Sequence, residues 1–230
     1  MTQGQQNGEM RMEHAAYLGP GALIESEDPA VIAFARKQAG DGDDITRAVR
    51  LYHAVRDQIL YDPYLPLGRR ESYSAKVALV SGRGWCVSKA ALLTACCRAV
   101  GIPARPGYAD VVNHLATEKL IENMGSDIFA WHSYAEIWLD GAWVKATPAF
   151  NSSLCDKFGL KPLEFDGRAD SLFHEFDRAG NRHMEYIRDR GHFSDVPIDQ
   201  ILETFRGLYK SVFLGIEGDF QAEAGAPSSV

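Results

Sequence analysis

The chain has 230 residues, 46% of them hydrophobic and 24% charged, with a formal net charge of −7. That is an ordinary globular composition, with enough apolar surface for one sizeable core, and it lacks the clustered Lys and Arg that nucleic acid or an anionic membrane surface would require. Residues 1–30 lack a basic start followed by an apolar stretch, and no run of about eighteen apolar residues occurs, so neither a secretory leader nor a membrane span is expected.

Four cysteines, Cys86, Cys96, Cys97 and Cys155, are too few for a disulfide framework, and two of them are adjacent. They read as a reducing, cytoplasmic setting, and without a C-x-x-C no zinc ribbon is expected. One domain over residues 1–230 is the simplest organisation. The polar stretch 1–13 and the Ala/Gly/Pro/Ser-rich stretch 221–230 read as flexible tails.

The first helix follows Asp28-Pro29 and stops near Gly40. A second runs from about Asp43 to Leu60, with Ile45, Ala48, Val49, Tyr52, Val55 and Ile59 on one stripe. Asp62-Pro63-Tyr64-Leu65-Pro66 ends it. A short helix over Ser74–Val80 is broken by Ser81-Gly82-Arg83-Gly84. The segment from Cys86 to Val100 is a third strong helix, apolar on most sides and so central in the fold. Beyond Pro103 the periodicity changes. Ala104–Val112 and Trp131–Leu139 read as strands, Asp140-Gly141 as a hairpin turn and Ala142–Ala146 as the returning strand. A loop follows from Thr147 to Phe165, then a second hairpin over Phe173–Tyr186 and a last helix over about Pro197–Lys210. Helices first and antiparallel hairpins after predict an α+β fold, a helical cluster packed on an antiparallel sheet.

Cys86 stands where a glycine-punctuated turn feeds the most apolar helix. A thiol there meets the positive end of the helix dipole and unpaired backbone N–H groups. Both favour thiolate, so a lowered pKa is expected, and the same N–H groups can receive an oxyanion. Gly84 would let substrate approach closely, and Trp85 could line a substrate groove or simply pack. Cys96 and Cys97, in mid-helix, read as core. The partner base is His132, at the start of a strand that mounts it rigidly.

The order of these segments carries more than any one residue. Gly84-Trp85-Cys86 at a helix start is followed by Gly101-Ile102-Pro103-Ala104-Arg105. Next come Trp131-His132-Ser133-Tyr134-Ala135-Glu136-Ile137-Trp138-Leu139 and Gly141-Ala142-Trp143-Val144. Over roughly residues 45–150 the chain resembles the bacterial transglutaminase-like superfamily, with its papain-like core. The family's usual run is a Gly-x-Cys helix, a Gly-Ile-Pro-Ala-Arg strand entry, a His-x-Trp-x-Glu-Val strand and a Trp-x-x-x-Asp-Pro-Thr strand. The resemblance implies that Cys86 is the nucleophile and His132 the base.

One family position departs. Aligning Trp143 and Pro148 puts Thr147 where the resemblance implies the Asp that orients the histidine. A threonine can accept a hydrogen bond from the ring but brings no charge. Papain-like enzymes use a neutral Asn in this role, so a neutral orienter can serve. Asn151 is the alternative orienter, with Asp156 and Asp166 further on.

Two functions follow. The first is thiol-dependent acyl chemistry through an acyl-enzyme: peptide, isopeptide or amide hydrolysis as a cysteine protease or amidase, or transamidation as an acyltransferase. The second is a catalytically impaired module that keeps the cleft and binds peptide or protein. The expected partner is a peptide, protein or amide substrate, with no nucleic acid and no membrane; the sequence does not fix an oligomeric state. No cofactor is expected, and no metal, since His174, His183 and His192 fit no compact ligand spacing.

Overall fold

A computed structural model describes residues 14–113, 118–172, 184–211 and 213–224. Short polar side chains start its first helices. Asp28 accepts from Ala30 N at 2.9 Å to open α1 (Pro29–Ala39), and Asp43 accepts from Thr46 N at 2.8 Å to open α2 (Asp44–Gln58). Ser74 caps α3 (Ala75–Ser81) through Val77 N, and Gly82, at φ 66°, ends it in the left-handed conformation that glycine adopts without strain. The longest apolar run forms α4 (Cys86–Ala99), in which every residue from Cys86 to Arg98 is buried.

A parallel clip joins β1 (Leu60–Tyr61) to β2 (Arg83–Gly84), with Tyr61 opposite Gly84. It fixes the end of α2 beside the turn that launches α4. Two buried basic side chains complete this packing. Lys89 Nζ donates to the carbonyls of Arg56 and Ile59, covering orphan acceptors at the end of α2. Arg98 donates to Ala104 O, Gly19 O and Ser194 O, each at 2.8 Å.

The main sheet is antiparallel, in the order β5 (Ala142–Ala146), β4 (Ile128–Leu139), β3 (Ala104–Asn113), β6 (Met184–His192). Ala135, Ile137 and Leu139 of β4 join the core around α4, where Leu92 and Leu93 have no exposed surface. Truncating either leucine to alanine would cost about 2–5 kcal/mol. The helix α7 (Ile198–Leu208) packs its Ile201 and Phe205 into the same core.

Several sequence expectations change in detail. A short helix, α5 (Glu118–Met124), lies between the two expected strands, and another, α6 (Ser152–Lys157), stands where a loop was expected. The stretch from residue 221 on, read as a tail, begins inside helix α8 (Phe220–Glu223). There Gln221 Nε2 donates to Tyr61 O at 2.7 Å, and Ala224 is buried. The Gln221 bond and the burial of Phe220 and Ala224 outweigh the tail-like composition. The expected hairpin over 173–186 lies largely outside the described residues; its last residues, from Met184, belong to β6, which pairs with β3. The expected tail at 1–13 also lies outside them. Among the described residues, no helix is long and apolar enough to cross a membrane.

Candidate active site

Cys86 is the first residue of α4 and is 6% exposed. The backbone before it is held from two sides. Trp85 N donates to Ser88 Oγ at 3.2 Å, and Trp85 Nε1 donates to Ser72 O at 2.7 Å. The indole packs edge-on to Tyr73, with ring centroids 5.3 Å apart. Gly84 is packed tightly: a Cβ there would stand 2.8 Å from Ser88 Oγ and 3.3 Å from Ala78 Cβ. This absent side chain lets α3, β2 and α4 close on one another, and Gly84 does not line the cavity beside the thiol.

That cavity encloses about 570 Å³ of empty space, its mouth included, and both Cys86 and His132 line it. Tyr61, Trp85, Phe205 and Tyr209 form other parts of its wall. A second space of about 270 Å³ is also lined by His132, here together with Thr147, Phe150 and Leu172. The imidazole thus borders both spaces.

His132 sits just after a break in β4. Trp131 has φ 60°, a conformation costing a non-glycine residue about 1–3 kcal/mol. The register with β3 shifts there, between Ala109 and Val111. The strained residue is secured by Asp110, whose Oδ1 accepts from Trp131 N at 3.0 Å and from Arg190 Nε at 2.5 Å. Its indole N–H donates to Thr204 Oγ1 at 2.9 Å, and the Arg190 guanidinium lies 4.6 Å from its ring. Bulges of this kind re-aim side chains next to sites. Sequence reasoning missed Asp110 and Arg190 entirely. Their only signal is an acid and a base on neighbouring strands, which is common in any sheet.

Charge balance in the site runs against the sequence expectation. Burial pushes the Cys86 thiol up to about 12, although the N–H groups of Ser133, Val87 and Cys86 itself pull the other way. Burial also holds His132 down at about 4. The lowered thiol pKa expected from the helix terminus is therefore reversed, because desolvating a thiolate outweighs the N–H groups that favour it. The resting pair is neutral thiol and neutral imidazole. Tyr61, on the cavity wall, is kept a neutral phenol by burial and by the nearby sulfur.

The orienter expected from sequence makes no bond to the ring. Thr147 is 3% exposed and its Oγ1 has no partner; the same is true of His132 Nε2. Thr147 is anchored by its backbone, donating to Ser171 O at 2.9 Å and accepting from the Tyr52 hydroxyl at 3.2 Å. Asn151 is engaged elsewhere: Oδ1 accepts from Tyr61 N at 3.0 Å, and Nδ2 donates to Ser153 Oγ at 2.8 Å. Asp166 accepts from Arg168 N and Ala169 N in its own turn, and neither it nor Asp156 lines either space. All four cysteines are free and buried. His174 and His183 lie outside the described residues, while His192 faces Glu136 at 3.8 Å.

Two solved structures show partial likeness. A candidate cysteine protease from Cytophaga hutchinsonii matches 80% of this chain and 47% of its own, at 16% identity and TM-score 0.49. Red sea bream transglutaminase matches 81% of this chain and 35% of its own, at 16% identity and TM-score 0.33. The chain thus spans about half the length of the first and about a third of the second. No curated protein matches it. The sequence model described as the transglutaminase-like superfamily matches residues 32–148, just over half of the chain, and takes in the α4 helix together with β3, β4 and β5. With mixed helices packed on a curled antiparallel sheet in the order that family model spans, the chain belongs to the transglutaminase-like superfamily.

Proposed function

We propose that this chain is a thiol-dependent enzyme of acyl transfer, acting as a single domain on a peptide, isopeptide or other amide. The observation that carries the reading is that Cys86 and His132 line one cavity, the sulfur at a helix N-terminus and the imidazole on the facing strand.

The neutral resting pair sets the order of events. As a carbonyl carbon reaches the sulfur, the thiol proton passes to the His132 ring and the S–C bond forms. The oxyanion meets the N–H groups at the head of α4. The Tyr61 hydroxyl, a neutral donor on the same wall, is the second oxyanion contact in this reading. The C–N bond then breaks, and the amine leaves with the proton from His132. A thioester remains on Cys86. Water attacks it, giving up a proton through His132 to the departing sulfur, and the acid is released; an amine in place of water gives transamidation. Thr147, whose unpartnered hydroxyl shares the smaller space with His132, is the proposed orienter and must turn to meet the ring. Trp85 forms part of the substrate groove, and Gly84 shapes the turn beneath it. Family membership favours a peptide or protein as substrate.

Hydroxylamine trapping tests this. Incubated with peptide amides and hydroxylamine, the native protein forms a hydroxamate, whereas Cys86→Ser does not and His132→Ala does so far more slowly. Hydroxamate formation by Cys86→Ser at the native rate would falsify the mechanism. A second reading is a peptide-binding module that has lost turnover. The ring nitrogen without an orienting bond favours it, and it predicts peptide binding that survives in Cys86→Ala with no hydroxamate from any variant.

A further inference from the structure

The cavity beside Cys86 reaches beyond the sulfur and the imidazole, and its lining is chemically one-sided. Leu120 and Met124 of α5, Phe129 and Ala130 of β4, Met184 of β6 and Phe205 of α7 converge on it from four separate elements. Among the described residues, no Asp, Glu, Lys or Arg lines it. Polar groups on the wall are largely committed. The Tyr209 hydroxyl donates to Ile128 O at 2.9 Å and accepts from Ala130 N at 2.7 Å. The Trp85 indole N–H is bound to Ser72 O. A charged side chain entering this space would lose its water and meet no opposite charge among the described residues, and an amide would have only Asn113, His132 and the Tyr61 hydroxyl to turn to. An apolar one would gain from the same transfer.

We infer that this cavity receives the side chain of the acyl group that Cys86 attacks, and that the acyl group is apolar, carrying an aromatic or branched aliphatic side chain. The inference deepens the proposed function and rests on Cys86 being the nucleophile. The sulfur and the apolar space share one wall, so a carbonyl within reach of the thiol directs its own substituent either into this space or out to solvent. A concave space with this lining discriminates by shape and polarity.

The test uses three acylated chloromethyl ketones that differ only in side chain: phenylalanyl, glutaminyl and lysyl. Iodoacetamide serves as a reagent too small to need the cavity. Alkylation of Cys86 is followed by peptide mass. The phenylalanyl reagent is expected to react about tenfold or more faster than the other two. Ala130→Leu, which fills the space, should bring the three rates within about threefold of one another while iodoacetamide labelling persists. The native comparison stands alone if that variant does not fold. Equal rates, or a faster glutaminyl or lysyl reagent, with iodoacetamide still reaching Cys86, overturn the apolar assignment and leave the nucleophile in place. Failure of every reagent, iodoacetamide included, to reach Cys86 ahead of Cys155 removes both.

Discussion

Strand β4 carries two polar residues four positions apart, and their surroundings could hardly differ more. Glu136, 5% exposed, is saturated: Arg105 Nε lies 2.6 Å away, with Lys145 and His192 at 3.9 and 3.8 Å. The Arg105 guanidinium in turn stacks 3.9 Å from the Trp143 ring. His132, 7% exposed, has a buried nitrogen with no partner and borders two cavities. Buried polar groups are nearly always satisfied; among the described residues six buried side-chain atoms are not, and His132 Nε2 is the one whose residue borders both cavities. Glu136 ties β4 to its neighbours, whereas His132 faces the cavities. Two positions of one strand thus separate an ion-paired carboxylate from an imidazole that faces open space.

Substitution should break that contrast most sharply at the thiol and the ring. Cys86→Ser is expected to abolish hydroxamate formation, and His132→Ala to slow it by about 10²–10⁴-fold, with little change in thermal midpoint for the serine variant. At the other position the effects should swap. Glu136→Ala strands Arg105 and should cost about 3 kcal/mol in urea unfolding, while Cys86 in the folded variant keeps its native alkylation rate.

Acid titration sharpens the comparison further. His132 has its pKa lowered from 6.5 to about 4 in the folded protein. The neutral ring therefore contributes stability that is fully present above about pH 6.5 and lost as pH falls through about 4. The amount is about 3 kcal/mol. Urea midpoints should fall accordingly between pH 7 and pH 4, and His132→Gln should flatten that decline. An equally steep acid limb in His132→Gln would place the linkage elsewhere. The smallest effect is expected at Thr147. Thr147→Asp should fold and should speed iodoacetamide labelling of Cys86 severalfold at neutral pH, by favouring the protonated ring. Unchanged labelling would separate Thr147 from His132.

The helix headed by Cys86 was legible because an Ala- and Leu-rich run follows a glycine turn. Strand β4 was legible from its alternation, from His132 to Leu139. Its first residues, Ile128 to Ala130, were not, since the left-handed Trp131 breaks the period. Short helices such as α5 and α6 hold too few turns to show a periodic stripe, and α8 is defined by docking rather than composition. In the site, the positions of Cys86 and His132 were readable from motif order. The direction of their pKa values was not, because local sequence shows a helix terminus but not the burial that overrides it. Asn151 looked available for the same reason: nothing near it in sequence reveals that Tyr61, ninety residues away, already uses its side chain.

The most direct measurement is the rate of Cys86 alkylation by iodoacetamide, followed by peptide mass from pH 6 to 9 in the native protein and in His132→Ala. A buried thiol raised to about 12 and served by a neutral ring predicts a native rate that climbs steadily without a plateau, and a His132→Ala rate at least about tenfold lower at pH 7. Identical rates in the two proteins at every pH would contradict the pairing of thiol and imidazole.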